Sequence, residues 1–196
     1  MKLIALTGLH GAGKDTVADA LPARKLAFAD VLYREVAEAF GVTVAELKCR
    51  QTKEKTVHVL RLDYCRDDAF ADFICSPCSG IERGLPRSPR QILQWWGDYR
   101  RAQDPDYFVT AAKRSAQMVF LHKTPVVVTD CRFPNEAAMV RQFGGHIWQV
   151  VRPGHEPPRT GHASETTGDE FAPDVVLVND GSLTDLQQKA LAAWEK

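Results

Sequence analysis

The sequence predicts an α/β fold in which helices cover both faces of a parallel sheet. Three observations lead there. Short apolar, strand-like runs alternate with segments of helical periodicity, a pattern that needs crossover helices between parallel strands. The first such run passes through a glycine-rich turn straight into a helical segment. A later run, Val126-Val127-Val128-Thr129, is apolar on successive residues, as a strand buried on both faces must be.

Taken in chain order, Lys2 to Thr7 is the first strand, and Val17, Ala20 and Leu21 then recur at helical spacing from Lys14 onward. Lys25 to Ala29 reads as a second short strand. Leu32, Val36, Ala39 and Phe40 mark one face of a helix that stops near Gly41. Thr43 with Glu46, and Ser88 with Gln91, have the spacing at which an N-cap hydroxyl and the third helical residue satisfy each other's amides. Pro89 then occupies the first helical position, where its missing N–H costs nothing. Pro134 opens a helix through Phe143, which Gly144-Gly145 terminates. His146 to Val151 and Val175 to Val178 are two further strands. Ser182 with Asp185 caps a last helix whose Leu183, Leu186, Ala190 and Trp194 line one face. Residues 42–88 and 152–173 lack this rhythm and read as insertions or mobile segments over one end of the sheet.

Composition narrows the class of function. The chain has 196 residues, 44% apolar and 26% charged, which suits one domain with a sizeable core. Lys plus Arg total 25 and Asp plus Glu total 25, so no net basic field favours a nucleic acid polymer or an anionic membrane. Leu3 to Leu6 is too short for the apolar part of a signal peptide, and no run approaches a membrane span. Five cysteines without an export signal read as reduced thiols in the cytoplasm. Cys75 and Cys78 form one CxxC; Cys65 and His58 are the nearby candidates to complete a zinc site, and loop or core thiols are the simpler reading.

Chemistry concentrates in Gly8-Leu-His10-Gly11-Ala12-Gly13-Lys14-Asp15-Thr16. Successive backbone amides of a tight glycine turn can meet phosphate charge without side-chain bulk, and the helix that follows adds its positive end. Lys14 is placed to neutralise the terminal phosphates. The usual phosphate-loop pattern has Ser or Thr directly after the lysine; here Asp15 stands there and Thr16 follows. Either Asp15 contacts magnesium, directly or through water, or Thr16 supplies the hydroxyl. Asp130 and Arg132 follow the Val126 to Thr129 strand, at the strand end where open α/β sheets bind ligands. A carboxylate there suits magnesium's water shell and the arginine suits a second phosphate. The alternative is that Asp130 caps the next helix and Arg132 pairs with Glu136 at the surface.

Several ordered segments together resemble the bacteriophage-type deoxynucleoside monophosphate kinases. They are GLHGAGKDTVADAL, Phe28-Ala-Asp-Val-Leu32, Ser88-Pro-Arg-Gln-Ile-Leu-Gln94 with Trp96-Gly97, Asp104-Pro-Asp-Tyr-Phe108, and Thr129-Asp-Cys-Arg-Phe-Pro-Asn-Glu136. The likeness runs from Lys2 to about Leu186. It implies a P-loop, three-layer α/β/α fold with a five-stranded parallel sheet, an acceptor-binding region at 28–101 and a lid at 152–173. It also implies transfer of the γ-phosphate of ATP to a deoxynucleoside 5′-monophosphate, with magnesium. Gly8, His10, Gly11, Ala12, Gly13, Lys14, Asp15 and Thr16 would hold ATP, with Arg159 from the lid and Asn179 near the adenine, where a plain helix-entry turn is the alternative. Asp130, Arg132 and Arg152 join Lys14 as candidate catalytic residues, and Asp15, Thr16 and Asp130 as metal contacts. Phe28, Arg90, Gln94, Arg100 and Arg132 would face the acceptor. His162, Ser164 and Glu165 fall in the polar lid segment. Where many relatives read Phe-Ala-Asp-Pro-Leu-Lys, this chain has Val31 for the proline and Tyr33 for the lysine. The expected partners are small nucleotides in the cytoplasm, the host's if the protein is phage-encoded. A homodimer and a monomer are both open. A kinase for another small acceptor, such as dephospho-coenzyme A, or a nucleotide-switched ATPase or regulatory module would share the loop. The Asp-x-Arg pair and an arginine-bearing lid favour a kinase over a switch.

Overall fold

Five short strands, β1 (Leu3–Thr7), β2 (Arg24–Leu26), β3 (Val126–Val128), β4 (His146–Val151) and β5 (Val175–Val178), lie parallel in the order β2-β3-β1-β4-β5. This is the five-stranded sheet the resemblance implies. The computed structural model describes residues 2–120, 123–155 and 171–196. Its chain divides into two compact units, Met1–Phe28 with Val109–Lys196, and Ala29–Phe108.

In the sheet-bearing unit the two-residue period of the strands sorts side chains into two layers. Leu3, Ala5, Val126, Val128 and Ile147 enter one, where α6 (Tyr107–Phe120) contributes Val109 and Val119 and α7 (Pro134–Gln142) contributes Ala137 and Val140. Ile4, Leu6, Val127, Trp148, Val150 and Leu177 enter the other, against Val17 and Ala18 of α1 (Lys14–Ala20) and Leu186 and Ala190 of α8 (Leu183–Trp194). Each fully buried Val, Leu or Ile contributes about 1.5–3 kcal/mol relative to exposure, which fixes the register of the strands.

The second strand differs from the expectation of Lys25 to Ala29. It runs from Arg24 to Leu26, because Phe28 gives its N–H to the Asp130 side chain (2.8 Å) and Ala29 is already the N-cap of a helix. Leu183 is also displaced from the expected apolar face of α8. It sits at N1, 64% exposed, while Leu186 and Ala190 are buried.

The other unit is built from α2 (Asp30–Phe40), α3 (Val44–Lys48), α4 (Asp68–Ile74) and α5 (Pro89–Gln103), with 3-10 turns at His58–Leu60 and Leu62–Tyr64. Much of the segment expected to be irregular is therefore ordered. Gly41 ends α2 in the left-handed conformation, φ 65°, which glycine adopts without Cβ strain. Thr43 and Glu46 satisfy each other at the start of α3 as expected; at α5 half of the expected box is made, Ser88 Oγ accepting the Gln91 N–H at 3.2 Å. Asp67 caps α4 by accepting the Phe70 N–H at 2.9 Å. Phe70 is at the centre of this core, its ring 4.6 Å from Trp96, 5.5 Å from Tyr99 and 6.5 Å from Phe40 by centroid.

Phe70 is 0% exposed, so Phe70→Ala is expected to destabilise the protein by about 3–5 kcal/mol through lost burial and a residual cavity. Phe70→Leu should cost less. Urea unfolding followed by circular dichroism measures both, and equal stability of Phe70→Ala and the parent chain would remove Phe70 from its central place.

Candidate active site

The carboxyl ends of four strands deliver the chemistry of the sheet-bearing unit. β1 runs into the Gly8 loop, β3 leads to Asp130 and Arg132, β4 to Arg152, and β5 to Asn179. Such strand ends are where open parallel sheets take ligands.

The loop's shape depends on its glycines. Gly8 has φ 131°, and a Cβ there would stand 2.3 Å from the Val150 carbonyl oxygen, so the backbone passes flush against β4. Gly13, φ 112°, is the N-cap of α1, and a Cβ on it would meet Asn179 Nδ2 and Leu186 Cδ2, each at 2.8 Å. As a glycine, Gly13 has no side chain with which to cap α1, whose positive end faces the loop. Two side chains brace the loop from behind. Asn179 Nδ2 donates to the Ala12 carbonyl at 2.9 Å, and the Asn179 N–H donates to the Val151 carbonyl at 2.7 Å. His155 Nε2 lies 2.7 Å from the His10 carbonyl oxygen and packs against Gly11.

Lys14 is half-buried and folds back onto this loop, donating from Nζ to the carbonyls of Gly8 (2.6 Å) and Leu9 (2.9 Å). Burial, and after it the Arg132 charge, bring its pKa down from 10.5 to about 8, with Asp15 and Asp130 acting in the opposite direction. Four residues expected from sequence to share a site, Lys14, Asp15, Asp130 and Arg132, are thus within electrostatic reach of one another. Asp15 is exposed on the first turn of α1, and Thr16 beside it is half-buried.

The Asp130 to Arg132 turn is held by its backbone. Asp130 Oδ1 accepts the Phe28 N–H at 2.8 Å, and the Cys131 N–H donates to the Leu6 carbonyl at 3.0 Å. Glu136 is 3% exposed and accepts the N–H groups of Arg132 (2.8 Å) and Phe133 (3.1 Å). The alternative of a surface pair between Arg132 and Glu136 is therefore corrected: the carboxylate is buried because it caps the turn and the start of α7. Burial also pushes the Cys131 thiol well up, with Glu136 and Asp130 adding to the effect, so it stays protonated and structural.

Phe28 has its side chain in the core, 3% exposed, and its amide serves Asp130. Arg152 is exposed at the end of β4, and its carbonyl accepts the His155 N–H at 3.2 Å. His10 is exposed on the loop. Arg90, Gln94 and Arg100 lie on α5 in the other unit. There Arg90 Nε is 2.5 Å from Glu54 Oε1, Gln94 is half-buried, and Arg100 Nε is 3.0 Å from Glu35 Oε2. Tyr33, where many relatives have lysine, collects two lysines: Lys53 Nζ donates to its hydroxyl at 2.8 Å and Lys48 Nζ stands 4.8 Å from its ring centroid. Arg159, His162, Ser164, Glu165 and most of the expected lid lie outside the described residues. Among the described residues no group of three or more His, Cys, Asp or Glu is arranged to hold a metal, and the five cysteines are free thiols.

Sequence reasoning did not single out His155, Asn179 as a brace, or Glu35. A lone histidine in a Pro- and Gly-rich stretch carries no spacing signal. Glu136 was read only as a surface partner of Arg132, although its place third after Phe133, with Pro134 at the helix start, carries a capping signal.

Residues 99–190 match the family model for deoxynucleotide monophosphate kinase. Over 212 aligned residues the chain is 28% identical to a protein of Acanthamoeba polyphaga mimivirus provisionally named deoxynucleotide monophosphate kinase, covering 98% of this chain and 95% of the relative. Among solved structures it resembles a dephospho-CoA kinase from Campylobacter jejuni, with TM-score 0.51 and 11% identity over 99% of this chain and 96% of that one. The structural likeness shows the P-loop kinase fold. Both sequence comparisons agree with the resemblance carried by the motifs, that of a viral-type deoxynucleotide monophosphate kinase.

Lys14 also supplies a pH dependence. Below about pH 8 it is already charged; above that it is largely neutral, and a bound triphosphate raises its pKa again by opposite charge. Between pH 8 and the raised value, nucleotide binding must take up a proton, so affinity falls as pH rises through that window. Calorimetric titration at pH 8.5 in two buffers of different ionisation enthalpy is expected to show uptake of a fraction of a proton. Lys14→Ala should abolish that uptake.

Proposed function

We propose that this phosphotransferase, similar to viral-type deoxynucleotide monophosphate kinases, transfers the γ-phosphate of ATP to a deoxynucleoside 5′-monophosphate, giving ADP and the diphosphate. The observation that carries the reading is the convergence of Lys14 with Asp15, Asp130 and Arg132 at the mouth of the glycine loop. A nucleotide switch needs the lysine and the loop; the second cation beside them suits a second phosphate. The family match and the mimivirus relative support a nucleotide monophosphate as acceptor. The dephospho-CoA kinase likeness, at 11% identity, favours no acceptor.

The loop amides and the Lys14 ammonium hold the donor phosphates, and the lysine leaves its contacts with Gly8 and Leu9 carbonyls to do so. Arg132 orients the acceptor phosphate, whose oxygen is already anionic, so no strong general base is required. Catalysis is then positioning and charge compensation, in line, without a covalent intermediate. Magnesium fits the donor set: hard oxygens of Asp130 and of Asp15 or Thr16, too few for a complete protein cage, as suits an ion shared with substrate phosphates. When bound it would neutralise charge on the donor phosphates. Arg152 and the lid segment 152–173 would shield the transferring group from water, with Arg159 and Asn179 at the donor.

Coupled measurement of ADP formation from magnesium-ATP with each deoxynucleoside monophosphate tests the reading. At least one acceptor is expected to stimulate turnover strongly; ATP hydrolysis indifferent to every acceptor would sink it. Lys14→Ala and Arg132→Ala should each lower kcat by about a hundredfold or more while the fold survives. Asp15→Asn is expected to raise the magnesium concentration for half-maximal rate more than Thr16→Val does, because Asp15 brings a negative charge that reaches as far as Lys14 and Thr16 brings none.

A further inference from the structure

Four residues at the end of β4 form a tight turn that reaches the phosphate loop. The His155 N–H donates to the Arg152 carbonyl at 3.2 Å across Pro153 and Gly154, and Gly154 has φ 69°. Proline in the second place and a left-handed glycine in the third are what a type II turn requires. A Cβ on Gly154 would meet nothing within 4 Å, so conformation rather than space calls for glycine there. The turn sets the separation of its two ends, Arg152, which continues β4, and His155, which lies on the loop. All of these residues belong to the sheet-bearing unit.

His155 holds the loop by one peptide. Its ring lies against Gly11, where an added Cβ would stand 2.8 Å from Nε2, and Nε2 is 2.7 Å from the His10 carbonyl oxygen. A carbonyl oxygen only accepts, so Nε2 carries the proton in this contact whether the ring is neutral or charged. No peptide among the described residues is cis, and across a trans peptide the carbonyl and the following N–H point in opposite directions. Drawing the His10 carbonyl to His155 therefore turns the Gly11 N–H the other way. Asn179 treats a second peptide alike: Nδ2 donates to the Ala12 carbonyl at 2.9 Å and so turns the Gly13 N–H away from Asn179. The Ala12 N–H between them is engaged inside the loop with the Leu9 carbonyl at 3.2 Å. Both clamps stand on the same strand end, because the Asn179 N–H donates at 2.7 Å to the carbonyl of Val151, the residue before Arg152.

We propose that His155 is a positioning residue for phosphoryl transfer, which aims the Gly11 amide at the donor polyphosphate and holds Arg152 at a set reach from the same loop. The proposal rests on the kinase reading above. An exposed arginine at the end of a strand loses backbone freedom when it meets the transferring group; a turn docked at both ends has lost that freedom beforehand. A histidine that only stabilised the loop would affect folding and both substrates alike. The positioning role is confined to the donor side and to the arginine, and the experiment separates the two.

The test compares His155→Phe, which keeps a ring against Gly11 and removes the donor, with His155→Gln, which keeps an N–H at a similar reach. Each is made in the parent chain and in Arg152→Ala. Steady-state rates are measured with magnesium-ATP and the acceptor varied in turn, ATP binding without acceptor is measured by calorimetry, and folding by thermal melting. In the parent background His155→Phe is expected to lower kcat about tenfold or more and weaken ATP binding about fivefold, with the acceptor KM within about twofold. His155→Gln should recover most of both losses. In Arg152→Ala the kcat effect of His155→Phe should shrink to about twofold or less, while the ATP effect, which runs through Gly11, should persist. If His155→Phe melts below assay temperature, His155→Asn, whose donor is too short to reach the carbonyl, takes its place. Unchanged kcat and ATP binding in the donor-less variant overturn the proposal, and so do matching rises in the KM of both substrates. A full kcat loss in the Arg152→Ala background overturns the link to the arginine. If no acceptor turns over in the parent protein, the kinase reading fails by itself, and ATP binding to the parent and to His155→Phe still decides whether His155 aims the loop.

Discussion

Two cations, Lys14 and Arg132, stand near enough at the carboxyl end of the sheet for one to oppose the charge of the other, and the surrounding structure exists in tension with that fact. Like charges in a half-buried site are unfavourable, more so as the local dielectric falls. Asp15 and Asp130 offset part of the cost, and the loop carbonyls of Gly8 and Leu9 accept hydrogen bonds from the ammonium. What remains is a site whose electrostatics improve when a polyanion arrives. On the proposed reading, affinity for phosphate draws first on the burial of Lys14 and then on its repulsion by Arg132, and needs no net basic surface; the chain's balance of 25 positive and 25 negative side chains is compatible with that.

Holding such a site requires backbone to be fixed before any ligand is present. Each contributing segment is tied by a polar side chain from elsewhere in the same unit. Glu136 holds the amides of Arg132 and Phe133, Asp130 holds that of Phe28, Asn179 holds the Ala12 carbonyl, and His155 meets the carbonyl of His10. The two apolar layers on either side of the sheet supply the stability that lets these polar ties be maintained, since each buried carboxylate or amide left unsatisfied would cost about 1–3 kcal/mol.

Local rules made most of the sheet-bearing unit readable. Strand alternation, the glycine loop, the Pro134 helix start and the Ser182 cap are each determined within a few residues, and the structure has them where the pattern puts them. The end of β2 was not readable, because it depends on Asp130 reaching back across about a hundred residues to the Phe28 amide. The short α4 and the 3-10 turns before it hold their shape by packing on Phe70, Leu60 and Leu62, and tertiary burial of that kind leaves little periodicity in so few residues. At the site, Lys14, Asp130 and Arg132 were legible from motif spacing. Glu35 was not, since a carboxylate within a helix looks like a solvated face until Trp96, Arg100 and Tyr107 are seen around it.

Asn179 and His155 grasp two carbonyls of the same short loop, from segments more than a hundred residues downstream in sequence, and the space each needs exists only because Gly13 and Gly11 lack a Cβ. The nine residues from Gly8 to Thr16 are therefore not a transplantable cassette. A phosphate loop grafted from another kinase would carry its own glycine spacing and would lose its grip unless positions 155 and 179 were exchanged along with it. In a diverging lineage, substitutions at these four positions should travel as a set, and a recombination breakpoint between the first helix and the last strand should be tolerated only where both parents share it.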